Sequence, residues 1–191
     1  MQGSPPPQAD HPPTAADELF AAAYRASGTA VLGYALRRSD SRDDALDVVA
    51  ETFAIAWRRR ADLPADPVEA RPWLFGIARR CLANAARSAQ RAGRLGRRLA
   101  EAFPEGAVPD PAAVSEVRAE SRRVRAALAG LPDDDRELVT LIAWEGLTPA
   151  EAATVLGVSA GTARVRLHRA RTRLRTALAT PTAAEESDRE N

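Results

Sequence analysis

The chain has 191 residues, a formal net charge of +1, two histidines and one cysteine. Apolar residues make up 45% and charged residues 28% of it, which is ordinary for a globular protein and excludes a collagen-like or disordered chain. No run approaches the roughly 20 apolar residues of a transmembrane helix, and the proline-rich start lacks the apolar core of a signal peptide. We therefore expect a cytoplasmic protein with no membrane insertion, of one domain or two small ones, and monomeric by default.

Metal and cofactor chemistry find little support in the composition. Cys81 has no second cysteine to pair with, which excludes an internal disulfide. His11 and His168 are the only histidines, so a His/Cys metal site is not expected. Because the sequence also lacks a phosphate loop and a nucleophile with a base, a helical enzyme is the weakest hypothesis, and no cofactor is expected.

The charges are segregated along the chain. All 27 basic residues are arginine; eight of them and no acid lie between residues 71 and 100, and six and no acid between 152 and 184. A coding bias toward arginine, with these runs as solvated faces, is one explanation. That bias does not account for missing carboxylates in a chain with 26 of them. Clustered guanidinium groups therefore favour a phosphate-binding surface and a nucleic-acid partner.

The organisation predicted from the sequence is all-α. Between proline-marked breaks the chain is rich in Ala, Leu and Arg with a helical period, and no stretch alternates as a strand. We predict two small helical domains joined by a flexible linker. The segments are a disordered tail 1–15, a first unit 16–92, a linker 93–113, a second unit 114–178 and a polar tail 179–191.

The first unit should open with two amphipathic helices. The first, at about Asp17 to Arg37, has four apolar residues at helical spacing that we expect in the core: Phe20, Tyr24, Val31 and Tyr34. The second begins after Ser41, a predicted N-cap. Its apolar stripe consists of Leu46, Val49, Phe53 and Trp57. By pattern alone these side chains are core, and the carboxylates of Asp47 and Glu51 are exposed.

A third helix is predicted from near Ala70. Trp73, Ile77 and Cys81 lie on its apolar face, where Cys81 is expected to be a buried small hydrophobe. The opposite face presents polar and basic side chains, namely Arg79, Arg80, Asn84 and Arg87.

The second unit contains the most specific local signal. Thr148 as N-cap, Pro149 at the first helical position and Glu151 as the capping-box partner predict a helix start. Gly157 then ends a helix of about two turns, and Ser159 caps the next. This pattern predicts a helix-turn-helix, with a helix from Asp133 to Trp144 as its scaffold.

The last predicted helix has two distinct faces. Ala163, Leu167, Ala170 and Leu174 form an inward stripe. The side chains expected to meet base edges are Arg164, Val165, His168 and Arg169. Those expected to bind phosphates are Thr162, Arg166, Arg171 and Arg173. An ordinary helical hairpin with a solvated face is the alternative.

Three stretches together resemble the sigma-70 family of bacterial RNA polymerase sigma factors, in its small extracytoplasmic-function (ECF) group. They are DALDVVAETF (44–53) with AWR (56–58), PWLFGIAR (72–79) continuing to Arg87, and GTARVRLHRAR (161–171). The resemblance implies a promoter-specificity subunit that binds core RNA polymerase and promoter DNA. It also makes an anti-sigma partner a reasonable hypothesis.

The resemblance assigns roles to residues of this chain. The first stretch implies a core-polymerase contact through Asp47, Ala50, Glu51, Phe53 and Trp57. The second implies −10 contacts through Trp73, Arg79, Arg80, Asn84 and Arg87. The third implies a −35 recognition helix whose contacts are Thr162, Arg164, Val165, Arg166, His168, Arg169 and Arg171. Val165 stands where the family commonly has serine, which exchanges a hydrogen bond for an apolar contact. A stand-alone helix-turn-helix regulator is the competing hypothesis.

Overall fold

The described part of the protein, in a computed structural model, is residues 12–100 and 116–179, with side chains described for 12–91 and 122–179. Its regular elements are all helical, as predicted, and no strand occurs among those residues. The helices are α1 (Ala15–Leu36), α2 (Arg42–Arg58), α3 (Pro67–Ala100), α4 (Glu116–Ala129), α5 (Asp133–Ala143), α6 (Pro149–Leu156) and α7 (Ala160–Ala179), with a 3₁₀ turn at Arg60–Asp62. Nearly all of the two predicted tails lies outside the described residues.

The chain divides into two compact units, Met1–Ala78 and Arg79–Asn191. In the first, α1 packs against α2, and the core includes the fully buried side chains of Val31, Tyr34, Leu74 and Phe75. The rings of Tyr34 and Phe75 meet edge to face with centroids 5.1 Å apart, a favourable aromatic geometry. Phe75 was not among the residues expected in this core.

The predicted N-cap of α2 is confirmed, and α1 begins at Ala15, slightly before the expected Asp17. The Thr14 side chain accepts a hydrogen bond from the Asp17 N–H and the Asp17 carboxylate accepts one from the Thr14 N–H, which completes a capping box on α1. Ser41 caps α2 by accepting from the Asp44 N–H at 3.0 Å. These bonds satisfy N–H groups that a helix start leaves without a partner.

The predicted apolar stripe of α2 is wrong by one residue. The buried stripe is Ala45, Val48, Thr52 and Ala56, joined by Phe53. Leu46 and Trp57 are 42% and 43% exposed. The two stripes have the same spacing, and the inner one consists of smaller side chains that let α1 and α2 approach closely. Thr52 is tolerated there because its hydroxyl donates to the Val48 carbonyl at 2.6 Å.

Tyr24 also departs from its predicted core position, since 51% of it is exposed. It lies beside α2 with its ring 4.6 Å from that of Phe53. The phenolic end therefore remains in solvent while one side of the ring packs, as is common for tyrosine.

Helix α3 is longer than predicted at both ends. It begins at Pro67, where the Asp66 carboxylate accepts from the Val68 N–H at 2.8 Å, and it continues to Ala100. Residues 93–100, which were predicted as part of the linker, are helical. Ala, Arg and Leu, which make up most of them, are strong helix formers. Residues 101–115, which include the rest of that linker, lie outside the described part.

The second unit is a packed group of short helices. α5, α6 and α7 contact one another, and α4 contacts α7, around the buried side chains of Leu138, Leu141 and Leu167. Arg136 joins α4 to α5 because its guanidinium donates to the carbonyls of Leu128 and Leu131. α4 and this brace were not predicted. None of the described helices is long and apolar enough to cross a membrane.

Candidate functional site

The helix-turn-helix of the second unit forms as predicted. The Thr148 side chain accepts from the Glu151 N–H at 3.2 Å, and the Glu151 carboxylate accepts from the Thr148 N–H at 2.6 Å. Gly157 ends α6 in the left-handed region, with φ 68°, a conformation that costs other residues energy. Ser159 starts α7 by accepting from the Thr162 N–H at 3.0 Å. The turn between α6 and α7 is thus specified by local chemistry at each end.

The two predicted faces of α7 are confirmed. Ala163, Leu167 and Ala170 are buried, and Leu174 is partly so. The four side chains expected at base edges are all exposed on the outer side: Arg164, Val165, His168 and Arg169. Val165 is 52% exposed and lies among cationic neighbours, so a small apolar contact is available next to guanidinium groups.

The arginines expected at phosphates differ in their surroundings. Arg171 is exposed, whereas Arg166 and Arg173 donate to Asp134 and Asp135 of α5, each at 3.2 Å. The Thr162 hydroxyl is 2.9 Å from that of Ser159 and belongs to the helix start. The pairing with α5 was not predicted, because residues far apart in the sequence form it.

The predicted polar residues of α3 form an exposed strip in the second unit. Arg80, Asn84 and Arg87 are exposed, and Arg87 donates to the Asn84 side-chain oxygen. Arg79 is partly buried and donates to Asp134 at 3.0 Å. The spacings of four and three residues place the exposed three on one side of the helix.

Trp73 lies in the first unit and is neither fully buried nor fully exposed. The Arg59 guanidinium is 5.7 Å from its ring centroid, within the range of a cation–π contact. Part of Trp73 is therefore accessible, and a positive charge lies beside its ring.

The outer face of α2 carries most of its predicted contact residues. Asp47, Ala50, Glu51 and Trp57 are exposed. Phe53 is only 8% exposed and packs edge to face on Phe20 and Tyr24. Four of the five side chains are therefore accessible on α2, and the fifth supports them from below.

Arg60 links Trp57 to α1, a feature that the sequence analysis did not identify. Its guanidinium is 4.3 Å from the Trp57 ring centroid, donates to the Trp57 carbonyl and pairs with Asp17. Hydrogen bonds from the Thr14 backbone and side chain, and then from Arg60, hold the pKa of Asp17 below its ordinary value. No periodic signal marks such a pair, because Asp17 and Arg60 are far apart in the sequence.

Comparisons with known proteins match the two parts of the chain to two regions of one family. Residues 23–92 match the family model described as Sigma-70 region 2, and residues 121–174 match Sigma-70, region 4. The chain is 33% identical over 162 residues to the ECF RNA polymerase sigma factor SigL of Mycobacterium tuberculosis, covering 84% of this chain and 89% of that one. It is 32% identical over 170 residues to the ECF RNA polymerase sigma factor SigE of Mycolicibacterium smegmatis, and the match covers 86% of this chain and 58% of that one.

Two solved structures resemble the fold. CnrH in complex with the cytosolic domain of CnrY gives a TM-score of 0.56 at 29% identity, over 83% of this chain and 86% of that chain. The sigma factor RpoE in complex with the anti-sigma factor NepR from Bartonella quintana gives a TM-score of 0.56 at 26% identity, over 85% of this chain and 98% of that chain.

Proposed function

Since the chain belongs to the sigma-70 family of RNA polymerase sigma factors, in its extracytoplasmic-function group, we propose a division of labour between its two units. As an alternative sigma factor, it binds core RNA polymerase and directs initiation at promoters with −10 and −35 elements. The observation that supports this division is the pair of matched regions in one chain, one with an acidic and aromatic outer helix and one with a basic recognition helix.

Helix α7 is proposed to read the −35 duplex from the major groove. Arg164 and Arg169 have the guanidinium geometry that pairs with guanine, and Val165 fits a thymine methyl. His168 lies on the same exposed face. Thr162, Arg166 and Arg171 are proposed to contact the flanking phosphates, with Arg173 beyond them, and these contacts place the helix without reading sequence.

Helix α3 is proposed to engage the −10 element. Arg80, Asn84 and Arg87 offer positive charge and hydrogen-bonding groups on one exposed side, with Arg79 beside them. Trp73 offers an aromatic face next to a cation, which suits an unstacked base. Charge and stacking together are what a melted strand requires.

The outer face of α2 is proposed to dock on core polymerase. An exposed tryptophan on a helix face that also carries carboxylates is typical of a protein interface, where aromatic anchors dominate the binding energy. Asp47, Ala50 and Glu51 would lie in this interface with Trp57 at its end, and Phe53 would fix the ring cluster beneath.

A stand-alone regulator is not favoured, because it would leave this region 2 face without a partner. We further propose an anti-sigma partner, in line with the sigma factor RpoE, which was solved in complex with the anti-sigma factor NepR. The protein is proposed to act in the cytoplasm, where the polymerase is, and to have no enzymatic activity of its own.

Reconstitution with core RNA polymerase tests the proposal. Promoter selection on fragments of the source genome should give polymerase-dependent initiation at sites that share two elements. Arg169→Ala should abolish element-specific initiation while leaving the complex with polymerase intact, and Glu51→Ala should weaken the complex. Absence of a complex, together with tight duplex binding by the protein alone, would establish an independent regulator instead.

A further inference from the structure

The acidic first turn of α5 lies against α7, a strongly basic helix. α7 carries six arginines and no carboxylate. Asp134 accepts a hydrogen bond from Arg166, and Asp135 accepts one from Arg173, each at 3.2 Å. Both bonds cross between helices of the same unit, so α5 supplies the negative charge that α7 lacks.

The pairing is selective among three consecutive aspartates. The Asp135 side chain is only 13% exposed, and a carboxylate that has lost most of its water requires a cationic partner. Asp134 is 53% exposed and pairs with Arg166 and also with Arg79 of α3. Asp133 is 95% exposed and pairs with Arg136 of its own helix. Two of the three carboxylates therefore act on the recognition helix.

This arrangement separates the arginines of α7 into two groups. Arg166 and Arg173 each have a carboxylate beside them. No carboxylate among the described residues pairs with Arg164 or Arg169. A paired guanidinium keeps other N–H donors, but a phosphate that approaches it also meets the carboxylate charge. The unpaired arginines lie with Val165 on the outer side.

We propose that Asp134 and Asp135 are specificity-determining residues that suppress binding of α7 to DNA of arbitrary sequence. Phosphate contacts add affinity without sequence information, and non-specific binding is almost entirely electrostatic. Partial neutralisation of Arg166 and Arg173 therefore weakens non-specific binding more than binding that includes base contacts. The inference rests on the proposed −35 role of α7.

The test is the double variant Asp134→Asn/Asp135→Asn in the full chain. Asparagine retains an oxygen that accepts the arginine hydrogen bond, so the variant removes charge and keeps geometry. Fluorescence anisotropy over a salt series measures binding to a short duplex with the selected −35 element and to a scrambled one. We expect scrambled-duplex affinity to rise about tenfold at low salt, about threefold per charge, with a steeper salt dependence and a smaller preference for the −35 duplex.

Asp133→Asn is the matched control. It removes the same charge from the same helical turn, but the carboxylate of the unmodified Asp133 pairs with Arg136 rather than with α7. We expect it to bind the scrambled duplex within about twofold of the unmodified protein, since exposed charges are strongly screened.

The outcomes separate the inference from the proposed function. If the double variant and Asp133→Asn gain scrambled-duplex affinity equally, the inference is overturned while the −35 role stands. If the unmodified protein does not distinguish the two duplexes, the −35 role fails and the inference with it. Circular dichroism checks the fold; should the double variant not fold, Asp134→Asn alone must exceed Asp133→Asn by about threefold, and equality overturns the inference.

Discussion

Helices α2 and α7 have similar inner faces and opposite outer faces. Each packs inward through small residues, such as Ala45 and Ala56 in α2 and Ala163 and Ala170 in α7, all of them completely buried. Outward, α2 presents carboxylates and an exposed tryptophan, whereas α7 presents arginines and one valine. The inner faces specify only a helical core. The outer faces distinguish a protein contact, anchored by an aromatic ring, from a duplex contact built on guanidinium groups.

Trp57→Ala should have the largest effect on this comparison. Removal of an aromatic anchor typically costs an interface about 2 kcal/mol or more, which is about a 30-fold loss of affinity for core polymerase. Binding to the −35 duplex should not change. The measurement is a titration of labelled core polymerase with the variant protein, together with a thermal melt of the variant.

Val68→Ala is the control for that experiment. Val68 is 62% exposed at the start of α3, outside the proposed polymerase surface, and its truncation should leave polymerase affinity unchanged. Equal losses for the two variants would mean that the α2 face is not the docking surface.

Arg164→Ala should weaken the duplex contact of α7 rather than the polymerase contact of α2. Loss of a guanidinium that pairs with a base costs about 1–3 kcal/mol and relaxes specificity at that position. Duplex binding with single-base changes in the −35 element would measure it, and polymerase affinity should be unchanged.

Arg175→Ala serves as the matched variant near the far end of the same helix. The Arg175 guanidinium donates to the Arg171 carbonyl and the Thr172 hydroxyl. Its removal should weaken binding to all sequences alike, if at all. A position-specific loss in Arg175→Ala, or a uniform one in Arg164→Ala, would contradict the assignment of base reading to the N-terminal half of α7.

The sequence predicted the second unit better than the first, and the reason lies in local chemistry. Thr148, Glu151 and Gly157 act on their own neighbours, so their roles can be inferred from adjacent positions. The stripe of α2 offered no such guide. Two sets of residues, offset by one position, satisfy the same helical period. Preference for the larger side chains selected the set in which Phe53 is buried but Leu46 and Trp57 are exposed.

Long-range pairs account for most of the rest. Nothing in the local pattern places Arg60 on Asp17, or Arg173 on Asp135, because these contacts depend on how helices pack. The exposed face of α2 was predicted from its carboxylates, but the exposure of Trp57 became evident only when smaller residues were found in the core. For α7, the inward alanines and leucines and the outward arginines were separable from the start.

Gly157→Ala should destabilise the second unit by about 1 kcal/mol, because alanine is strained at the φ of 68° found there. No atom of the described residues lies within 4 Å of the position that a side chain would take, so the cost is confined to the backbone. In a unit of this size the midpoint of thermal unfolding falls by about 4–8 °C.

Gly161→Ala, in the first turn of α7, is the companion variant. Among the described residues, a side chain at this position would approach only the Ser159 hydroxyl, at 3.8 Å. Alanine is also the better helix former by up to about 1 kcal/mol. We expect its melting temperature to stay level or rise. A fall in both variants would mean that crowding, rather than backbone conformation, decides these positions.

Asp17→Asn should give the smallest effect, and one that depends on pH. The pKa of Asp17 lies below its ordinary value in the folded protein, so the ionised carboxylate contributes stability above the unfolded-state pKa of about 3.9, and this contribution disappears as the pH falls through the folded-state pKa. At neutral pH the variant should therefore melt at a slightly lower temperature than the unmodified protein, with a smaller difference than Gly157→Ala shows, and this gap in melting temperature should close under acid.

Glu18→Gln is the control, because it removes a charge from the same helical turn without an ion pair to Arg60, and it should show a smaller gap. A gap that is constant from neutral to acid pH would mean that Asp17 supports the α1 start and Arg60 through its shape rather than its charge.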